Sequence, residues 1–174
     1  MKGTIVVALG EMIQKNFGKD KWREILKSVE MRPTIPVLAT EDIPDETVLN
    51  IIKQTCRIMN ISIEQAADAF GEYWVNEYAP RVYKVYYLDC KNARDFITKM
   101  DDIHVAATKN IPGAKPPRFN FKWEDDHTLI MTYRSHRGLI DIMIGLIKGV
   151  AKYYKENLQV HKISDDKLRI VFPS

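Results

Sequence analysis

Apolar positions in the first 110 residues recur with a helical period. Val6, Leu9, Ile13 and Phe17 are spaced by three or four residues until Gly18 interrupts them. A shorter stripe follows through Trp22, Ile25, Leu26 and Val29. The stretch MRPTIPVLATEDIPD holds three prolines and reads as a connector. Asp45 stands where it can cap the next helix, ETVLNIIKQTCRIMN. Ser62 and Gln65 have capping-box spacing for a helix running through AADAFGEYW. EYAPRVYKVYYLDC predicts helix beyond Pro80, and NARDFITKMDDIHVAATKN predicts one continuous helix.

The period then changes. Gly113 and three prolines in IPGAKPPRF end the helical pattern and turn the chain. RFNFKWEDDHTLIMTYRS predicts two strands around the acidic turn Glu124-Asp125-Asp126. GLIDIMIGLIKGVAKYYKENL predicts one long helix, apolar nearly all round. LQVHKISDDKLRIVFPS closes as a hairpin around Ser164-Asp165-Asp166. Helices followed by hairpin, helix and hairpin give an α+β class with antiparallel strands, expected as one domain over residues 1–174.

Composition narrows the function classes. The chain has 174 residues, 45% hydrophobic and 28% charged, enough for a substantial core. The net charge of +3, with Lys and Arg scattered, leaves no electrostatic footprint for nucleic acid. Cys56 and Cys90 alone cannot build a disulfide framework or a four-thiolate zinc site, which fits a reduced, cytoplasmic setting. The apolar start is too short for a membrane span and lacks a signal-peptide pattern, so no membrane insertion is expected. GxGxxG, P-loop, GxSxG and HExxH motifs are absent from the sequence, and the expectation is a non-enzyme.

Two features carry candidate chemistry. His104 joins Phe96, Met100, Ile103 and Ala107 on a helical stripe. It is either a core histidine satisfied by its neighbours or a metal ligand. With no Cys or carboxylate partner at ligand spacing it cannot make a zinc site, but a single imidazole suffices as the axial ligand of haem iron. Asp101 and Asp102 read as solvated helix residues. In YRSHR, alternation along a strand places Tyr133, Ser135 and Arg137 on one face. That face is either ordinary solvated strand surface or a set of three donors suited to an anion. A macrocycle bearing two propionates and a phosphorylated metabolite both qualify.

Taken in order, MKGTIV at the start, Trp22, FGEYW at 70–74, MDDIH ending at His104, PGAKPPRF at 112–119 and YRSHR at 133–137 resemble the haem nitric oxide/oxygen-binding (H-NOX) domain, related to the haem domain of soluble guanylate cyclase. The resemblance runs over essentially the whole chain. It implies a helical amino-terminal part packed on a carboxy-terminal antiparallel sheet with one long helix, and heme b buried between them. It also implies that His104 is the proximal iron ligand and that Tyr133, Ser135 and Arg137 hold the propionates. Pro117 would press on the porphyrin and Ile5 would lean on it from the first helix. Met100 and Leu146 would line the pocket. Oxygen-binding relatives place a tyrosine after an Asp in the long helix; here that pair is Asp141-Ile142. Ile142 offers no hydrogen bond, so the resemblance implies a sensor that binds NO and CO and excludes O2, with Tyr73 and Trp74 as the other residues able to donate. It would signal when the His104–iron bond breaks and the proximal helix shifts. Its partner would be a histidine kinase, a diguanylate cyclase or a fused chemoreceptor in a bacterial cytoplasm. The alternative is the O2-binding sensor domain of a chemoreceptor. No Cys lies near the end of the chain, so no zinc is expected.

Overall fold

A computed structural model describes residues 1–173. Its contacts gather into two compact units, Met1–Ala66 with Ile111–Ala114, and Ala67–Asn110 with Lys115 onward.

The first unit is built on α1 (Thr4–Phe17), α2 (Lys19–Ser28) and α3 (Asp45–Met59). Val6, Leu9, Ile13, Ile25, Leu26, Val48 and Ile51 form its buried core. Those on α1 and α2 were singled out by the helical period, whereas Phe17, at the end of the α1 stripe, is exposed, and Trp22 and Val29 of the second stripe are only half-buried. Gly18, at φ 85°, separates the first two helices. The proline-rich connector has no helix or strand of its own. It is stitched to the start of the chain by a bridge between Lys2 and Asp42, by Gly3 N–H donating to Glu41 O at 2.8 Å, and by Ile43 N–H donating to Met1 O at 2.8 Å. Asp45 is not the cap of α3. Pro44 takes that position, extended at ψ 137°, and Asp45 opens the helix, where its negative charge faces the helix's partially positive end. The capping box forms as expected at α4 (Ile63–Tyr73): Ser62 Oγ accepts from Gln65 N–H at 3.2 Å, and Gln65 Oε1 accepts from Ser62 N–H at 2.9 Å.

In the second unit, α4 passes into a π-helical turn over Trp74–Tyr78, then α5 (Ala79–Val82) and α6 (Lys84–Leu88). At the end of that turn Pro80 has no N–H to offer the Val75 carbonyl, and the Tyr87 hydroxyl donates to it at 3.0 Å instead. The single helix expected over 92–110 is two helices, α7 (Ala93–Thr98) and α8 (Met100–Thr108). Thr98 Oγ1 donates to the Arg94 and Asp95 carbonyls at 2.8 and 3.3 Å, competing with the backbone ladder at the break.

Four strands follow: β1 (Arg118–Trp123), β2 (Thr128–Arg134), β3 (Gln159–Ser164) and β4 (Lys167–Val171). They form one antiparallel sheet in the order β1-β2-β4-β3, with Phe119 opposite Tyr133 and Met131 opposite Leu168. The long helix α9 (Ile140–Tyr154) contributes Met143, Ile147 and Val150 to the same buried cluster as Phe119, Leu129, Met131 and Tyr133. On another side α9 touches α4 backbone to backbone: a Cβ added at Gly145 would lie 2.0 Å from Ala67 O. A Gly145→Ala variant is therefore expected to lose about 3 kcal/mol, the upper end for overpacking, because a carbonyl on a rigid helix cannot yield. Urea unfolding of the variant checks this.

Candidate functional site

His104 sits on α8, a helix with no fully buried residue. Its apolar stripe, Met100, Ile103, His104 and Ala107, is only half-covered, while Asp102, Val105 and Ala106 on the opposite side are exposed. The His104 ring packs on Phe119 with centroids 5.2 Å apart. Its Nδ1 lies 3.2 Å from the Pro117 carbonyl oxygen. A carbonyl can only accept, so Nδ1 carries the proton and Nε2 keeps a lone pair. Nε2 has no partner among the described residues. Burial pushes the His104 pKa below the ordinary imidazole value, against the opposing pull of the Pro117 carbonyl. The ring is thus neutral, oriented and open at one nitrogen. No group of three or more His, Cys, Asp or Glu side chains able to hold a metal stands together among the described residues.

Asp101 is not the solvated residue that its position suggested. Arg118 Nε and Nη2 donate to its carboxylate at 2.8 and 2.6 Å, and Phe119 N–H donates at 2.8 Å. The helix carrying His104 is thereby clamped to the start of β1. Sequence pattern alone could not find this pair, because seventeen positions separate the partners. Bonding to Arg118 holds the Asp101 pKa down at about 2. A depressed carboxylate stabilises the fold above its unfolded value of about 3.9, and that contribution is lost as pH falls toward 2. Asp101→Asn is expected to cost about 1 kcal/mol at pH 7, modest because the carboxylate is partly solvated, and progressively less as pH falls through about 2. Thermal melts of both proteins at pH 7, 4 and 2 measure the difference.

Tyr133, Ser135 and Arg137 do not share a strand face. β2 ends at Arg134, so alternation covers Tyr133 but not Ser135 or Arg137, which lie beyond the strand on the way into α9. A local side-chain bond ends the ladder here: Ser135 Oγ accepts from Arg137 N–H at 3.3 Å. Gly138, at φ 63°, completes the turn. Ser135 and Arg137 are thus linked by a local turn, while Tyr133 belongs to the strand end. Tyr133 is 6% exposed, yet its hydroxyl has no partner among the described residues. Its ring lies 6.1 Å from that of Phe119, which therefore links Tyr133 to His104. Arg137 Nη1 donates to Lys115 O at 2.8 Å, drawing this turn toward the one that carries Pro117. The role of Phe119 was also missed, though the alternation of β1 marks it as inward-facing.

On α9, Ile142 and Leu146 stand four residues apart and are both half-buried, unlike Met143 and Ile147. Leu146, Met100 and Trp74 pack against the second unit's core. Ile5 is half-buried on α1 in the first unit.

A family model described as Haem-NO-binding matches residues 2–162. The chain belongs to the haem-NO-binding family. Soluble guanylate cyclase 89Da of Drosophila melanogaster is 24% identical over 157 residues, 88% of this chain and 23% of that protein. Soluble guanylate cyclase gcy-35 of Caenorhabditis elegans is 21% identical over 171 residues, 96% of this chain and 25% of that protein. The chain thus spans about a quarter of the length of the curated relatives it matches. Among solved structures, a Cs H-NOX mutant with an unnatural amino acid matches at TM-score 0.89 and 28% identity, covering 100% of this chain and 97% of that one. A mutant T. Tengcongensis H-NOX matches at 0.87 and 28%, covering 100% and 98%. An oxygen-binding H-NOX domain related to soluble guanylate cyclases matches at 0.84 and 28%, covering 100% and 96%.

The family to which this domain belongs is one of haem-binding gas-sensor domains. The residues of this domain fit that cofactor. An open Nε2 without protein co-ligands suits an iron whose other protein-independent donors come from the porphyrin. The Tyr133 hydroxyl, the Ser135 hydroxyl and the Arg137 guanidinium are donor types suited to a carboxylate.

Proposed function

We propose that this domain senses NO and CO, excludes O2, and reports the gas by releasing His104. Bound heme b would supply an iron able to take a gas. His104 Nε2 would hold that iron, with the Nδ1 bond to Pro117 O fixing the ring and raising its basicity. Tyr133, Ser135 and Arg137 would hold the propionates, Pro117 would press on the cofactor, and Met100, Ile142 and Leu146 would line its site; Ile5 is the contact residue expected from the first helix. Release of His104 frees α8 from one of its constraints, leaving the Asp101–Arg118 clamp as its tie to β1. That makes α8 the two-state element a partner reads. Residues 1–174 act as one sensor domain, and the partner is a histidine kinase, a diguanylate cyclase or a fused chemoreceptor in the cytoplasm.

The observation carrying the gas selectivity is Ile142, half-buried and without a donor. Bound O2 is charged and gains from a hydrogen bond, whereas NO and CO depend on one far less. Absorption spectra of the ferrous protein test the reading: no oxy form in air, and clear shifts under CO and NO. A second reading, the O2-binding domain of a chemoreceptor, is favoured by Trp74, whose half-buried indole N–H has no acceptor among the described residues. A stable oxy spectrum in air would select it.

A further inference from the structure

We propose that Phe119 is a positioning residue for His104, holding the tilt of its imidazole by lying against the ring. The inference rests on His104 being the iron ligand and adds the group that sets the direction of its open nitrogen. Two anchors act on the imidazole along one line. The side chain leaves α8 at Cβ, and Nδ1 is drawn to Pro117 O at 3.2 Å. A flat ring held at two points can still rock about the line between them, and rocking swings Nε2 sideways. The Phe119 ring opposes that motion. Its centroid lies 5.2 Å from that of His104 with the planes 47° apart, a tilted aromatic contact.

Phe119 can serve as a stop because it is itself held. It is 3% exposed and stands opposite Tyr133 in the sheet. Its ring has Tyr133 at 6.1 Å and Phe121 at 6.5 Å as neighbours. Its N–H donates to Asp101 Oδ1 at 2.8 Å, about one turn before His104 on α8. Alternation at the start of β1 divides the work: Arg118 turns outward to bond Asp101, and Phe119 turns inward to meet His104. The backbone and ion-pair ties fix where α8 and Nδ1 stand. The ring contact fixes how the imidazole plane is turned. With the plane steadied, the Nε2 lone pair keeps one direction toward a metal held there. If the ring rocks, that bond is longer on average and more varied, and the side chain leaves more readily.

The test uses the ferrous, haem-loaded protein and reads the iron–histidine stretch by resonance Raman. Phe119→Leu removes the flat face; Phe119→Tyr keeps it. Phe119→Leu is expected to lower the stretching frequency and to broaden the band, with Phe119→Tyr close to the parent in both. Thermal melts run alongside, because losing buried ring contacts lowers stability whatever the ring does for His104. A lower melting temperature with a band of parental position and width would make Phe119 merely structural and overturn the proposal. A band moved as far by Phe119→Tyr as by Phe119→Leu would overturn it too. Should Phe119→Leu not fold, Phe119→Met, which fills similar volume without a flat ring, is read in the same way. An iron–histidine band missing from the parent refutes the site assignment itself, a failure distinct from a band that is present but does not respond.

Discussion

His104→Gly is expected to fold and to lose most of its pigment. Folding should survive because α8 contributes no fully buried residue to the core and stays fastened to β1 through Asp101, Arg118 and Phe119. The backbone cost of Gly in place of a side chain within a helix is about 1 kcal/mol. Haem affinity is another matter. The coordinate bond is the one strong, directional link that the described residues offer the iron, and altering even groups behind a metal ligand weakens binding about 10- to 100-fold. Removing the ligand itself should exceed that. Added imidazole should restore colour by entering the vacated position, but as a diffusible ring it cannot pull on α8. The rescued protein should therefore resemble the gas-bound state towards any partner that reads α8. Haem content per protein and the ferrous absorption bands, with and without imidazole, are the measurements. Unchanged pigment and bands in His104→Gly would remove the basis of the functional reading.

Ile142→Tyr is expected to create O2 binding. The position is third in α9 and half-buried, while the core-facing side of that helix is carried by Met143, Ile147 and Val150. A larger side chain at 142 can therefore extend without displacing the core. A neutral hydroxyl donating to a bound ligand contributes about 1–3 kcal/mol, or about one to two decades in affinity. O2 affinity should rise by that amount while CO affinity changes little. Ile142→Phe supplies the ring without the hydroxyl and is the control. Equal O2 affinity in the Tyr and Phe variants would show that the donor is not what selects the gas.

The local devices of this fold follow from near neighbours in the chain, and these were legible. The α1 and α2 stripes are buried where the helical period placed them, except for exposed Phe17 at the end of α1 and half-buried Trp22 and Val29; Gly18 separates those helices; and Ser62 and Gln65 make both bonds of their capping box. Each depends on atoms at most a few residues apart, so pattern and stereochemistry suffice. The two hairpins and the long helix were likewise readable from the change of period at Gly113 and the prolines. Where the reading erred, the cause was a competing bond it had no means of ranking. Thr98 competes for carbonyls where a helix that looks continuous divides, and Ser135 follows the end of a strand whose alternation looks continuous.

At the candidate site, residue types were visible in the chain but their arrangement was not. A lone histidine and three donors can be seen in one dimension. That the histidine's Nδ1 meets Pro117 O, that Phe119 joins it to Tyr133, and that Arg137 reaches the Lys115 carbonyl are facts of tertiary structure. Chain order alone determined which elements form and which side chains are chemically able to serve. Tertiary contact decided which nitrogen of His104 is left open and what clamps its helix. Those outcomes depend on hydrogen bonds between groups that only folding brings within 3 Å or so of one another, and such distances are not encoded in any local period.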